Sequence, residues 1–397
     1  MAMPVDEAAA LILDAIPALQ PIELPLAEAY GCVAAAEVTT EYDIPPFSSA
    51  ESDGFAARSA DIVAAAPGSP VSLRLVGRSV RGRPPEVTVG WGETVRIVSG
   101  APMPAGADCV VPAGSGTAEG EAALVTSPIE QGANLSTAGA DVKAGSTLVP
   151  AGRRLSAPEL GLLATAGHGS VPAYPRLRVG VLAVGDLVEP GRPTAFGQVR
   201  DAVTYLLLGA LRDLGAVPYR VGIVPDAGLR EAVMSNTLRV DAFVVAGDLR
   251  GGSGLDALGA VADLRSIEVA VHPGSTVAFG TVEGRPFFWV SDKPMSAFVS
   301  FELFVRPGIL RMMGRRDLKR PEVAAVLDEP VAGPPGVALF VPARMAHRGG
   351  AWHARPTGPP VEGHLGSLAV ANALAALPPG GSAGGQVRVR VLRPLER

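Results

Sequence analysis

Apolar and polar positions divide the chain into stretches of different period. Between Arg178 and Leu214 an apolar run, Val179 to Val184, ends in Gly185-Asp186. A Gly/Pro-rich loop then leads to Val203, Leu206, Leu207, Ala210, Leu211 and Leu214, which recur at helical spacing. A run of that length closed by a glycine turn reads as a buried strand, and the spacing after it as an amphipathic helix. Strand, turn, loop and helix form the first half of a doubly wound α/β unit. Ligands of such sheets bind outside the carboxyl ends of the strands. The plainer reading is an ordinary βα connection.

The pattern continues on both sides. Val221–Val224 and Ala242–Ala246 read as strands flanking a helix over Asp226–Leu238, and Ala242–Ala246 ends in Gly247-Asp248. Val277–Phe279 and Pro286–Val290 add short strands, with a helix over Ala297–Met313 behind them. Upstream, Asp6–Leu19 reads as a helix stopped near Pro21. Tyr42–Ala57 is a proline-initiated loop ending in the turn Asp53-Gly54. From Val71 to Val125 short strands alternate with turns, as in a small inserted β-domain. Beyond the charged linker Arg315–Arg320, strand-like runs at Val323–Leu327, Ala338–Val341 and Val387–Leu392 surround a helical run near Leu368–Ala376. The expected fold class is α/β plus β, in several domains. These are an α/β domain from 1–20 and 174–318, a linker domain from 21–44 and 130–173, an inserted β-domain at 45–129 and a C-terminal β-domain at 319–397.

Composition narrows the function. The 397 residues are 48% hydrophobic and 18% charged, which suits folded domains. A net charge of -5 without a long basic run argues against a nucleic-acid surface. No signal peptide or membrane insertion is expected, and two widely separated cysteines, Cys32 and Cys109, suit a reducing cytoplasm. Both read as buried small hydrophobes. The histidines show no metal-ligand spacing, and Phe287, Phe288 and Trp289 read as core.

Several longer stretches carry a family likeness. IPPFSSAESDGFAA, VRIVSGAPMPAGADCVV, GADVKAGSTLVPAGRRL, GIVPD, SAFVSFELFVRPGILRMMG and LGSLAVANALAALP follow one another along nearly the whole chain. Together they resemble the MoeA/gephyrin E-domain family, the molybdopterin molybdenumtransferases. The resemblance implies an elongated subunit of four domains, with a MoaB/Mog-like doubly wound α/β domain, an inserted β-domain and a C-terminal β-barrel-like domain. It implies a homodimer. The implied activity is insertion of molybdate into adenylylated molybdopterin, releasing AMP, with a divalent cation such as Mg²⁺ as cofactor. The implied site lies at the carboxyl ends of the α/β strands and is completed across the dimer by the Asp-Gly and GAP loops.

The positions this likeness carries over as catalytic are Asp53, Ser99 (threonine in the family), Asp141, Asp186 and Asp201, with Asp186 also the metal ligand. Cofactor-binding positions are Arg250, His272, Gly274 and Lys293. The departures cluster. The family's threonine-glycine-aspartate-glutamate turn is Val184-Gly185-Asp186-Leu187, its lysine before proline-glycine is His272, and its proline-glycine-asparagine-proline loop is Ser291-Asp292-Lys293-Pro294. Leu187 offers no oxygen to a hard cation. Asp248 and Asp292 add negative charge where a pyrophosphate would sit, and a neutral histidine replaces a permanent cation. Either the anion site is degraded, or Arg250 and Lys293 compensate as phosphate partners. Degradation leads to a second function: a non-catalytic dimeric scaffold binding a linear peptide or tail of a partner protein, as gephyrin does. Asp53, Asp186 and Asp201 also have plainer readings as turn or helix-cap aspartates.

Overall fold

Val179 and Val181 enter one apolar core while Leu182 and Val184 enter another, so the strand Arg178–Val184 is covered on both faces. The same alternation holds in Ala242–Ala246, where Val244 and Val245 part company, and in Arg285–Val290, where Phe288 and Trp289 do. Side chains of a strand point alternately to opposite faces, so apolar residues at every position require helices on both sides.

These strands belong to a computed structural model that describes residues 2–249, 253–380 and 385–393. It comprises two compact units: Met1–Ala36, Gly152–Ser156 and Val171–Arg397, and separately Glu37–Ala151 with Ala157–Ser170.

The first unit holds a six-stranded mixed sheet in the order Val217–Val224, Arg178–Val184, Ala242–Ala246, Arg285–Val290, Thr276–Val282, Ala262–Glu268. The first four are parallel and the last two pairings antiparallel. Helices Val5–Asp14 and Val203–Asp213, with the run from Pro294 to Met312, pack on one face. Helices Leu229–Met234 and Ser253–Leu258 contribute to the core on the other. The run at 294–312 is not one uniform helix: Phe301–Val305 is a π-helical turn between two α segments. Pro307 has no N–H for the carbonyl four residues earlier, and a widened turn absorbs the mismatch.

The same unit carries a closed five-stranded barrel of Glu322–Leu327, Ala338–Arg348, Ala351–Pro356, Ala373–Leu377 and Gln386–Val391. Small residues fill it, among them Ala325, Ala343, Ala354, Ala373 and Ala375. The helix expected over Leu368–Ala376 is only Gly366–Ala369. Asn372 then exchanges hydrogen bonds with Met345: its Oδ1 accepts the Met345 N–H at 2.7 Å, and its Nδ2 donates to the Met345 carbonyl at 3.1 Å. That side chain starts the pairing that Ala373–Leu377 continues, and barrel closure overrides the helix preference of an Ala/Leu run.

The second unit is built on an open sheet in the order Cys109–Pro112, Gly54–Ala57, Glu93–Ile97, Val71–Ser79, Ala122–Val125, Gly116–Glu119. Separate apolar clusters fill its two faces, one around Phe55, Ile62 and Val111, the other around Val89, Val95 and Val110. Gly54 has no room for a side chain: a Cβ there would stand 2.0 Å from the Val111 carbonyl oxygen. No helix of the described residues is long and apolar enough to cross a membrane.

Candidate functional site

At the carboxyl edge of the parallel strands the chain turns three times: after Val184 at Gly185-Asp186, after Ala246 at Gly247-Asp248, and after Val290 at Ser291-Asp292-Lys293. Gly185 adopts φ +134°, a conformation that side-chain-bearing residues avoid. The second and third turns line one small cavity of about 50 Å³. Its walls include Asp248, Gly274, Ser291, Asp292, Lys293, Ser296 and, from the loop between barrel strands Ala351–Pro356 and Ala373–Leu377, Glu362.

Gly274 lines this cavity at a point where the chain has no room for a side chain. Its φ is +96°, and a Cβ would meet Ser300 Oγ at 2.8 Å and the Ser296 carbonyl oxygen at 3.0 Å. Ser296 is 2% exposed, and its hydroxyl oxygen is buried without a hydrogen-bond partner. An orphan hydroxyl beside a cavity is free to bind what enters it. Lys293 Nζ lies 2.5 Å from Glu362 Oε2, and the Glu362 carbonyl accepts the Met295 N–H at 2.8 Å. A loop of the barrel thus supplies an acidic side chain to a cleft formed by the α/β sheet.

The other candidates divide. Gly274 and Lys293 share the cleft, and His272 lies two residues before Gly274, outside its lining. Arg250 lies outside the described residues. Asp186 is exposed at its turn. Asp201 lies at the start of helix Val203–Asp213, 2% exposed, and is wholly engaged. Its Oδ1 accepts the Thr204 N–H at 3.0 Å, and its Oδ2 accepts from the Thr204 hydroxyl and from Arg220 at 3.0 Å. Arg220 in turn holds Glu189 through bonds of 2.8 and 2.9 Å. Among the described residues no three His, Cys, Asp or Glu side chains converge as a metal site. With Asp201 committed to Arg220 and Leu187 beside Asp186, this donor set does not fit a resident Mg²⁺.

In the second unit, Asp53 and Ser99 meet. Asp53 Oδ1 accepts the Ser99 N–H at 2.8 Å, and the Ser99 hydroxyl donates to the Glu51 carbonyl at 3.1 Å. Asp141 is exposed, with its N–H donating to the Ile44 carbonyl at 3.0 Å.

Sequence reasoning missed Glu362, Ser296 and the Arg220–Glu189 contact. Glu362 sits in a Pro/Gly loop without a motif, and Ser296 reads as one more small residue in an apolar helix. Nothing in the local pattern marks Arg220 as the partner of a residue nineteen positions earlier.

Known proteins resemble this chain over most of its length. Residues 3–167 match the MoeA N-terminal region (domain I and II), and residues 324–392 match the MoeA C-terminal region (domain IV). The chain is 32% identical over 387 residues to molybdopterin molybdenumtransferase 2 of Mycobacterium tuberculosis, covering 94% of this chain and 95% of that protein. It is 34% identical over 405 residues to molybdopterin molybdenumtransferase 1 of the same organism, covering 95% of each. The crystal structure of a molybdopterin biosynthesis MoeA protein from Pyrococcus horikosii superposes with a TM-score of 0.83 at 25% identity, over 99% of this chain and all of that one. Matched from its first helix through its barrel, the chain belongs to the MoeA family.

Proposed function

We propose that the chain acts in molybdenum cofactor biosynthesis as a weakened molybdopterin molybdenumtransferase, taking adenylylated molybdopterin and molybdate as substrates. The observation that carries this reading is the charge of the cleft. Lys293 is paired with Glu362, and Asp248 and Asp292 line the same walls. Like charges around a binding site repel an anionic ligand, so the anion binds with reduced affinity. The groups that favour binding are the Lys293 ammonium, the orphan Ser296 hydroxyl and the bare backbone at Gly274. Lys293 and Ser296 orient the anion, and Gly274 lets it approach the chain closely. The resemblance adds a homodimer in which the Asp53-Gly54 loop and the GAP loop after Ser99 of one protomer complete the cleft of its partner.

The test is complementation of a molybdenumtransferase-deficient strain, with calorimetry of AMP and molybdate binding. Weak rescue that Lys293→Ala abolishes supports the reading; rescue indifferent to Lys293 refutes it. Light scattering should give a dimer mass, and a monomer at micromolar concentration removes the shared site.

A dimeric scaffold is the second reading, and a different cavity favours it. A cleft of about 570 Å³ between helices Val203–Asp213 and Pro294–Ser300 and the barrel is lined by Tyr205, Leu206, Phe298, Leu365, Leu368 and Leu392. An apolar groove of that size suits an aliphatic or aromatic anchor from a partner protein's tail. Two such grooves in a dimer would add avidity. Stoichiometric retention of one partner, lost in Leu368→Asp, supports this reading, and failure of Leu368→Asp to change retention counts against it.

A further inference from the structure

We propose that Glu362 is a built-in competitor for the anion site, a carboxylate held on Lys293 in the place an incoming oxyanion would take. The proposal rests on the reading that this cleft receives anions. Three observations meet here. The Glu362 carboxylate oxygen lies 2.5 Å from Lys293 Nζ, a direct charge-assisted contact. Both residues line the cavity that also contains Ser296, whose buried hydroxyl oxygen has no partner, so the cleft keeps an unspent donor beside an occupied cation. The backbone of Glu362 is fixed independently of its side chain, since its carbonyl accepts the Met295 N–H at 2.8 Å. Removing the carboxylate charge therefore leaves the loop in place.

The physical consequence is specificity rather than closure. To bind, an anion must displace Glu362 from Lys293 or accept the pair as a neutral wall. A carboxylate left beside a bound phosphate or molybdate repels it, so the penalty grows with ligand charge and shrinks as salt screens it. Lys293 is 50% exposed and Glu362 28% exposed at their side chains, so the ion pair itself is a modest term. Loss of the pair and loss of like-charge repulsion act in the same direction. Glu362→Gln is therefore expected to tighten anion binding by about tenfold at low salt, and by less at high salt.

The experiment titrates the full chain with inorganic phosphate and with molybdate by calorimetry at low and high salt. Wild type, Glu362→Gln and the double variant Glu362→Gln/Lys293→Met are compared, and circular dichroism verifies that each is folded. The expected result is weak binding by wild type, tighter binding by Glu362→Gln, and loss of that gain in the double variant. Equal affinity of wild type and Glu362→Gln overturns the competitor role while leaving the anion-site reading standing. No binding by any of the three overturns both. Should Glu362→Gln prove unstable, Glu362→Ser supplies the same comparison.

Discussion

Arg320 grips Glu302 with two hydrogen bonds, 2.7 and 2.8 Å long, at a carboxylate only 4% exposed and set within the π-helical turn. Removing one partner of a buried ion pair strands the other charge. Arg306 Nε stands 3.9 Å from the same carboxylate, so Arg320→Met leaves Glu302 with that one cation and is expected to cost about 3 kcal/mol. The double change Glu302→Leu/Arg320→Met strands the buried Arg306 instead and should recover little of it. Urea denaturation of both variants checks this, and a double variant as stable as wild type would mean that Arg306 needs no carboxylate beside it.

Gly274→Ala is expected to destabilise by about 2–4 kcal/mol, because it combines a left-handed φ with contacts under about 3 Å. Gly363→Ala is the control. It lies beside Glu362 in the same loop with nothing within 4 Å of the added methyl, and should leave the midpoint unmoved. A neutral Gly274→Ala would show that the turn relaxes.

Asp53→Ala removes the acceptor of the Ser99 N–H at an exposed site. Its stability cost should be small, about 0.5–1.5 kcal/mol. Any larger loss of rescue in the deficient strain would then mark Asp53 as part of the reaction. Asp53→Asn, which keeps an acceptor oxygen, should restore stability.

Burial, with the nearby Asp108 charge adding to it, pushes the Cys109 thiol up to about 12 from its ordinary 9.0. The unfolded thiol ionises first. Its contribution to stability is thus fully present below pH 9 and lost as pH rises from 9 towards 12, reaching about 2.5 kcal/mol at pH 11. Chemical denaturation between pH 8 and 11 should show a shallower decline in Cys109→Ala than in wild type. Iodoacetamide should leave native Cys109 unmodified at pH 8.

The legible parts of the chain are those where burial is uniform. Val179–Val184 and Ala242–Ala246 are buried on both faces and announce themselves as unbroken apolar runs. Ala262–Glu268, by contrast, is an edge strand of mixed polarity, and the part of Ala338–Arg348 after Val341 alternates with charge, so neither full length stands out. Ala373–Leu377 misleads because its Ala/Leu composition favours the helix that barrel closure forbids. The site shows the same contrast. Gly274, Asp248, Asp292 and Lys293 lie at strand-end turns where the topology points. Glu362 reaches the cleft from a loop about seventy residues later, a proximity that only tertiary structure creates. Asp201 looks like a ligand in sequence because its neutralising partner, Arg220, comes from a different strand.

Val271–His272 pairs in parallel with Ala338–Leu339 at the start of a barrel strand, and two residues later the chain makes the Gly274 turn of the cleft. The Ala338 N–H bonds to the Ala270 carbonyl at 2.9 Å, reinforcing that seam. Load applied to the barrel is therefore transmitted to the cleft floor through two residues of extended backbone. A ligand seated against Gly274 should slow amide exchange along Ala338–Leu339, and loosening the barrel should loosen the grip on the ligand. The barrel is a splint for the cleft as much as a domain of its own.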